Sequence, residues 1–161
     1  MRNKYTLLYI GLIIVGTLLT ACHRHTVYHQ YEHVPVEGWE HNDTLSFMVP
    51  AISASNNYLS ELGVRINSNY PYTNLNIIVE QTILPSRQTR RDTLSCSLID
   101  EKGTTKGTGV NYYQYLFPIV TERIAQGDSL LVNIRHNMRD DILQGISDVG
   151  FRLSRAKKKP E

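Results

Sequence analysis

The feature that most constrains the fold is a two-residue alternation of apolar and polar side chains, repeated in short segments after residue 22. Successive side chains of a β-strand point to opposite faces, so this alternation predicts half-buried strands rather than helices. Residues 27–31 are expected to add an eighth strand to seven clear ones. The apolar positions of the seven are Leu45, Phe47 and Val49; Leu62, Val64 and Ile66; Leu75, Ile77 and Val79; Leu94, Cys96 and Leu98; Tyr113, Tyr115 and Phe117; Leu130, Val132 and Ile134; and Val149, Phe151 and Leu153.

Turn-forming residues separate these segments, at residues 67–71, 84–86, 100–103 and 126–128. About eight strands at this spacing predict an all-β fold, an antiparallel two-sheet sandwich. A jelly-roll-like sandwich is the first expectation and an immunoglobulin-like one the second. A helical turn is expected only at residues 120–125, and residues 140–144 are expected to form a loop or a single turn.

The N-terminus has the three parts of a signal peptide. Arg2 and Lys4 precede an apolar run at residues 7–19, and a Cys follows at position 22. The 13-residue run would span roughly 20 Å as a helix, against about 30 Å of hydrocarbon in a bilayer. Residues 1–21 are therefore expected to be cleaved, and an uncleaved anchor is the alternative.

The segment Leu19-Thr20-Ala21-Cys22 resembles the lipobox of bacterial lipoproteins. The resemblance implies that Cys22 is the lipid attachment site, acylated on its sulfur and often on its new amino group. Each buried methylene contributes about 0.8 kcal/mol, so two or three acyl chains hold a domain firmly at a bilayer. The lipid bilayer is thus the first expected partner.

The resulting domain boundaries are residues 1–21 for the signal peptide, 22–42 for a lipidated tether, 43–154 for the sandwich and 155–161 for a disordered basic tail. The tail contains Lys157, Lys158 and Lys159. These lysines could touch anionic headgroups, although solubility is the simpler explanation.

The charge balance argues against a nucleic-acid-binding protein, and the cysteine content argues against a disulfide-stabilised one. Without Arg2 and Lys4, 15 basic residues balance 15 acidic ones, so nucleic acid is not an expected partner. With Cys22 acylated, only Cys96 remains, and no intramolecular disulfide can form. Cys96 is in phase with Leu94 and Leu98 and is expected to be a small core residue; a reactive thiol is the alternative.

Five histidines lie close together in the expected tether: His23, His25, His29, His33 and His41. Neutral imidazoles bind metal ions, but zinc needs three or four convergent ligands. A solvated tether is the preferred interpretation, with metal chelation as the alternative. No resident metal ion or cofactor is therefore expected.

The glycine-rich residues 103–109 differ from a phosphate-binding loop, because Lys106 precedes its glycine and a strand-like segment follows. A flexible hairpin turn is expected there. No nucleophile elbow or spaced carboxylate pair is found, and His136 and Asp148 could act as an acid–base pair only if the fold joined them. The protein is accordingly expected not to be an enzyme.

Tyrosines supply the one binding-site hypothesis that comes from composition. Tyr70, Tyr72, Tyr112, Tyr113 and Tyr115 could build a platform on which a sugar stacks. Alternation places Tyr113 and Tyr115 toward the core and Tyr112 outward. A glycan-binding β-sandwich is thus the alternative to an interaction protein.

Several ordered motifs of the mature chain resemble the gliding-motility lipoproteins of Bacteroidota, the GldH family. They are Gly38-Trp39, Tyr70-Pro71-Tyr72-Thr73-Asn74-Leu75, Asp92-Thr93-Leu94, the glycines Gly103, Gly107 and Gly109, His136-Asn137-Met138-Arg139, and Leu143-Gln144-Gly145-Ile146-Ser147-Asp148-Val149-Gly150-Phe151-Arg152. The chain departs from the family pattern at Thr104-Thr105, where an aromatic residue is usual.

The resemblance implies an envelope lipoprotein without catalytic residues, linked to gliding and to the machinery that exports adhesins. Other envelope proteins are then the expected partners, and non-gliding relatives imply a role in envelope assembly or secretion. Surface-exported lipoproteins of this phylum tend to carry acidic residues after the Cys, and residues 23–27 have none. The expected location is the outer membrane, lipid-anchored, at its periplasmic face.

Overall fold

The computed structural model describes residues 25–156, and all regular structure in that range is β-strand. The strands are β1 Thr26–His33, β2 Trp39–Glu40, β3 Leu45–Val49, β4 Asn56–Asn67, β5 Asn74–Leu84, β6 Gln88–Ser97, β7 Tyr112–Ile124, β8 Ser129–His136, β9 Ile142–Leu143 and β10 Ile146–Arg155.

Eight long strands form two four-stranded antiparallel sheets. Sheet I has the order β1-β10-β4-β7, and sheet II has the order β3-β8-β5-β6. Among the long strands, the first therefore pairs with the last and the second with the seventh, as in a jelly roll. The short strands β2 and β9 pair separately. The expected antiparallel jelly-roll-like sandwich is confirmed.

The core lies between the two sheets and is built from the alternating positions that the sequence shows. In β5, Leu75, Ile77 and Val79 are fully buried and their neighbours are not. Phe47 of sheet II and Phe151 of sheet I meet across the core with ring centroids 6.4 Å apart. Burial of these apolar side chains is the main stabilising contribution.

The sandwich has two distinct ends. At the termini end, both ends of the described chain lie together, because Arg155 N–H donates to His25 O at 2.8 Å and Ala156 N–H donates to Asn57 O at 2.9 Å. The opposite, loop end is formed by residues 34–44, 68–73, 98–111 and 137–145.

The expected boundary between tether and sandwich at residue 43 needs correction. Residues 26–33 form β1, which pairs with β10 along its whole length and is an edge strand of sheet I. Val34 and Trp39 are fully buried in the core. The alternation is weak here because an edge strand buries few side chains, and in β1 only Tyr28 is buried.

The helical turn expected at residues 120–125 is wrong. Residues 120–124 are the last part of β7 and pair with β4. The pairing passes from Glu61 opposite Pro118 to Ser60 opposite Val120, so Ile119 is an extra residue in β7. A β-bulge of this kind shifts the phase of the alternation, which hides a strand from a two-residue pattern.

Residues 140–144 also differ from the expected loop or single turn. Ile142 and Leu143 form β9, and Trp39 lies opposite Leu143. Two-residue strands carry no periodicity, so the sequence pattern could not show them.

Candidate functional site

The outer surface of sheet I contains a regular grid of nine residues, which we call the Tyr31 face. Three neighbouring strands contribute three residues each. The rows across the sheet are His29, Arg152 and Glu61; Tyr31, Gly150 and Gly63; and His33, Asp148 and Arg65. Each strand thus places a charged or ionisable residue on both sides of the middle row.

The middle row lets an aromatic ring lie flat on the sheet. A Cβ added at Gly63 would lie 2.5 Å from the Tyr31 hydroxyl oxygen, and one added at Gly150 would lie 2.6 Å from Tyr31 Cδ1. Glycine inside a strand typically marks such a close approach. Tyr31 therefore crosses β10 and β4 because neither strand has a side chain in its way.

Arg65 covers the exposed side of this ring. Its guanidinium carbon lies 4.1 Å from the Tyr31 ring centroid, within the range of a cation–π contact. Arg65 Nε donates to Gln114 Oε1 at 3.1 Å, and Nη1 lies 3.8 Å from Asp148 Oδ2. The guanidinium is held from two sides, which fixes the ring between the backbone and a cation.

Arg152 and Glu61 form a bidentate ion pair in the first row. Arg152 Nε and Nη2 donate to the two Glu61 carboxylate oxygens at 2.7 and 2.8 Å. Glu61 is buried, at 7% exposure, whereas Arg152 is partly exposed. Bidentate pairs are directional as well as strong, so this one locks both side chains in place.

Burial and the two arginines shift the pKa values of His29 and Tyr31. Burial first, and then Arg152 and Arg65, lower the pKa of His29, although Glu61 opposes them. Burial raises the pKa of Tyr31 against the opposing effect of the arginines. At neutral pH, His29 is therefore an uncharged imidazole and Tyr31 keeps its hydroxyl proton.

The Tyr31 hydroxyl is the exception to an otherwise satisfied network. It is buried and has no hydrogen-bond partner among residues 25–156. A buried polar group without a partner is destabilising by roughly 1–3 kcal/mol. The face is thus flat, rigid and rich in tyrosine and arginine, and it retains one unused hydrogen-bonding group.

Sequence patterns could have revealed this face. The motifs Glu61-Leu62-Gly63-Val64-Arg65 and Asp148-Val149-Gly150-Phe151-Arg152 share the pattern acid-x-Gly-x-Arg. In an antiparallel pair, each acid then lies opposite the other motif's arginine, as observed. The repeat matches no catalytic motif, so its two copies have no meaning in the sequence until the pairing of the two strands is known.

The histidines expected to lie in a tether are spread over the sheet. His29 and His33 occupy two rows of the Tyr31 face, and His33 Nδ1 lies 3.4 Å from Asp148 Oδ1. His41 contacts His136 at the loop end. Within residues 25–156, no group of three or more His, Cys, Asp or Glu side chains is placed to hold a metal ion. His23 lies outside the described residues.

His136 and Asp148 are not brought together as an acid–base pair. His136 is completely buried; its Nε2 lies 3.1 Å from Trp39 O, and Met138 N–H donates to Nδ1 at 3.4 Å. These contacts assign the proton to Nε2. Burial, and then His41, lower the pKa of His136, so it is a neutral structural histidine.

The tyrosines named for sugar stacking do not form a platform. Tyr70 is buried, and its ring meets that of Tyr72 edge-on, at an interplanar angle of 74°. Tyr115 is buried and donates to Leu98 O at 3.0 Å, whereas Tyr112 points outward as expected. A sugar needs exposed, coplanar rings, and these five tyrosines do not supply them.

Two further expectations concern Cys96 and the glycine-rich loop. Cys96 is confirmed as a core residue, whereas the loop differs from the expected flexible hairpin. Cys96 is a buried free thiol, and burial raises its pKa to about 12. The loop at residues 103–109 is not a free hairpin, because Thr105 and Gly107 pack on Tyr115. Lys106 Nζ donates to Ser97 Oγ at 2.7 Å.

Cys22, the expected lipid attachment site, lies outside the described residues, as do the signal peptide at 1–21 and residues 157–161 of the basic tail. Among the residues that are described, no helix is long and apolar enough to cross a bilayer.

Fold and surface together define a class of protein: a jelly-roll domain with a rigid, flat face that has the composition of a binding surface. The chain belongs to the GldH lipoprotein family, whose family model matches residues 26–153. Proteins of this family are lipoproteins of a gliding-motility system and are associated with the cell envelope. The resemblance noted in the sequence is confirmed.

Two relatives align over nearly their whole length. The gliding motility lipoprotein GldH of Flavobacterium johnsoniae is 28% identical over 149 residues, covering 88% of this chain and 92% of the relative. A GldH homolog of Christiangramia forsetii is 27% identical over 165 residues, covering 97% and 99%. Neither name indicates a catalytic function.

Similarity to solved structures is weak. A CocE/NonD family hydrolase from Staphylococcus aureus matches with a TM-score of 0.37 at 9% identity, over 82% of this chain. This chain spans only 32% of that enzyme. The Eiger TNF of S. frugiperda matches with a TM-score of 0.31 at 13% identity, over 84% of this chain and 96% of that one. Neither match carries a conclusion about this protein.

Proposed function

We propose that this protein is a non-catalytic envelope lipoprotein that acts as an interaction or assembly component of gliding or secretion-associated machinery. In this proposal, acyl chains on Cys22 anchor it in the outer membrane, at the periplasmic face. The lipobox-like segment, the absence of acidic residues at 23–27 and the names of its relatives support the anchoring and the setting.

The observation that carries the interaction role is the fixed position of Tyr31 on sheet I. Binding normally costs about 0.5–1.5 kcal/mol for each flexible side chain that becomes ordered. Tyr31, Arg65 and Arg152 are already held by the glycines and by their own contacts. Tyrosine and arginine dominate the energetic centres of protein interfaces, so this face is suited to a protein partner.

The charges of the face favour a protein over a polyanion. Glu61 pairs with Arg152, and Asp148 lies between His33 and Arg65. The face is therefore close to neutral, and the Arg65 guanidinium and the His33 imidazole are its accessible groups. We expect the partner to be another envelope protein that packs on this face and offers a hydrogen-bond acceptor to the Arg65 guanidinium.

Site-specific photocrosslinking in cells tests the proposal. A photoreactive residue at His33 probes the Tyr31 face, where the His33 side chain is 70% exposed. One at Met48, which is 55% exposed on sheet II, is the matched control. We expect discrete crosslinks to envelope proteins from position 33 and none from position 48. Equal crosslinking from both positions, or none from position 33, would contradict the proposal.

Tyr31→Phe separates binding from folding on the same face. This change removes only the unpaired hydroxyl, so we expect the melting temperature to stay the same or rise. The yield of the position-33 crosslink should stay the same in Tyr31→Phe, because the hydroxyl is buried, and should fall severalfold in Arg65→Gln, because the guanidinium is accessible. Tyr28→Phe is the control, because the Tyr28 hydroxyl donates to Gln30 Oε1 within β1. An unchanged crosslink in Arg65→Gln would show that the guanidinium does not take part.

A further inference from the structure

One side of the sandwich is open between its two sheets. Strand β6 is the last strand of sheet II and β7 the last strand of sheet I, and they lie side by side without belonging to one sheet. Two surface hollows follow this side, one of about 600 Å³ and one of about 420 Å³. We call this side, with its two hollows, the β6–β7 cleft.

The edge of β6 that faces the cleft has an unbroken row of backbone groups. Strand β6 pairs with β5 without a register shift over its whole length, and it contains no proline. Leu98 N–H donates to Thr73 O in the same register, and bonds to one neighbouring strand recur at every second residue. The outward N–H groups are those of Thr89, Arg91, Thr93 and Ser95. Within residues 25–156, no backbone bond joins β6 to any strand but β5.

The other edge strands of the sandwich are less open. In β7, the backbone of Gln114 is already paired with Thr108, and Pro118 and the extra residue Ile119 interrupt the rest. Proline and bulges are the usual devices that block an edge. Strand β3 has only five residues, and the pairing of β1 shifts near its start. Strand β6 is therefore the edge best suited to accept another strand.

The charged residues of β6 do not block its edge. Arg91 Nη2 lies 2.6 Å from Glu80 Oε1, and Arg90 Nε lies 2.8 Å from Asp92 Oδ2. Charged side chains on an edge normally discourage pairing. Here both arginines are neutralised by carboxylates of sheet II itself, so the backbone row stays available.

The larger hollow offers apolar contacts next to this row. Its lining includes Leu116 and Phe117 of β7, and the ring of Tyr115 stacks on Phe117 with centroids 5.9 Å apart. A strand added to β6 points every second side chain toward sheet I. Apolar side chains of such a strand would pack on these rings.

The charge of the lining selects among possible strands. Lys106 lines the larger hollow, and Arg90 and Arg123 line the smaller one. Glu122 is the one carboxylate among the residues that line the two hollows. A second copy of β6 would bring like charges together, whereas an acidic segment complements the cleft.

We propose that β6 binds an extended, acidic segment of a partner polypeptide as an added strand. Sheet II then has a fifth strand, and alternate side chains of the segment enter the β6–β7 cleft. Only an extended polypeptide matches a row of alternating N–H and C=O groups. The inference does not rest on the Tyr31 face, which belongs to sheet I.

A displayed library of random peptides of about ten residues, the length of β6, is the probe. Selection uses the chain from residue 22 onward with Cys22→Ser, which keeps every described strand. We expect the selected peptides to contain more acidic than basic residues. Their binding should weaken when the salt is raised from 0.15 M to 1 M, since the screening length falls from about 8 Å to about 3 Å.

Two proline variants locate the binding edge. Thr93→Pro should weaken peptide binding about tenfold or more, because it removes an outward donor and its ring obstructs the edge. Met48→Pro is the control, on the opposite edge of sheet II. Asn137 N–H donates to Asn76 O, so by the same alternation Met48 N–H also points outward. Neither variant loses a bond of its sheet, and both should melt cooperatively.

Amide hydrogen exchange of the unmodified chain gives a measurement that needs no variant. Bound peptide should slow the exchange of the Arg91, Thr93 and Ser95 amides about tenfold or more and leave that of Met48 unchanged.

Any of four results would overturn the inference: no selected peptide, an excess of basic residues in the selected ones, equal binding by the two proline variants, or unchanged exchange in β6. Self-association of the chain that Thr93→Pro abolishes would also overturn it, by assigning the edge to a second copy. Loss of the position-33 crosslink bears only on the Tyr31 face.

Discussion

Tyr31 and Gly63 depend on one another at the scale of single residues. The three atoms closest to a Cβ added at Gly63 all belong to Tyr31, at 2.5, 2.8 and 2.9 Å. A methyl group there must displace the ring, and the ring cannot move without leaving Arg65. The ring can take this position because β4 has no side chain at Gly63.

A double-mutant cycle measures this dependence. Gly63→Ala alone should lower the free energy of unfolding by about 1–3 kcal/mol, the usual range for overpacking. In a Tyr31→Ala background the same change should cost less than about 0.5 kcal/mol, because the obstructing ring is gone. Denaturant unfolding of the four proteins supplies the values. Additive effects would show that the glycine serves the backbone and not the ring.

His136 gives the second residue-scale prediction, a dependence of stability on pH. Its folded-state pKa lies below the unfolded value of about 6.5, so the unfolded chain binds a proton that the folded chain refuses. The free energy of unfolding should therefore fall as the pH drops through about 6.5. One such group contributes at most about 1.4 kcal/mol per pH unit.

Urea unfolding between pH 7.5 and 5 checks this sign. His136→Gln, which has no titrating group, should be less stable at pH 7.5 but show a shallower pH dependence. Parallel curves for the two proteins would mean that His136 is protonated equally in the folded and unfolded states.

At the scale of elements, β1 and the segment to β2 complete the sandwich. Tyr28 packs on Phe151 with centroids 6.2 Å apart, and Val34 and Trp39 are fully buried. Removing β1 would also expose the hydrogen-bonding edge of β10. Unprotected strand edges promote aggregation.

Two truncated chains compare the boundary expected at residue 43 with the observed start of the domain near residue 25. A chain starting at residue 25 should unfold cooperatively, whereas one starting at residue 43 should be insoluble or lack a cooperative transition. Circular dichroism during heating distinguishes them. A cooperative melt of residues 43–156 within a few degrees of the longer chain would restore the boundary that the sequence predicts.

Strands that bury one complete face could be predicted from the sequence. In β5 and β8 the alternating apolar residues are the buried ones, since both strands are internal to sheet II. The expected strand at residues 27–31 is confirmed as part of edge strand β1, although its full length and its place in the sandwich are not predicted, and the part of β7 beyond the bulge is not predicted at all. Which of their residues are buried depends on the neighbouring strands, and the alternation within one strand does not show what those neighbours are.

The candidate site was harder to predict than the fold, for a related reason. Its groups are spread over β1, β4 and β10, and β10 is far from the other two in sequence. Only the antiparallel register brings each acid opposite an arginine. The repeated acid-x-Gly-x-Arg pattern is visible in the sequence, but its meaning depends on knowing which strands pair.

At the scale of the whole molecule, the Tyr31 face and the termini end lie on different sides of the sandwich. The Tyr31 face covers the side of sheet I, and the termini end is perpendicular to it. If the proposed anchoring at Cys22 holds, the chain enters the domain at β1 from the termini end, and the Tyr31 face stays open to a partner.

The central claim is that a lipid on Cys22 holds this jelly roll at the membrane. The most direct test is the mass of the N-terminal fragment of the purified protein, with membrane fractionation of Cys22→Ala alongside. We predict a chain that begins at an acylated Cys22, and a Cys22→Ala protein that is no longer processed at that residue and no longer functions. An unmodified Cys22 in a membrane-bound protein, or a Cys22→Ala protein that keeps its membrane level and function, would contradict the account.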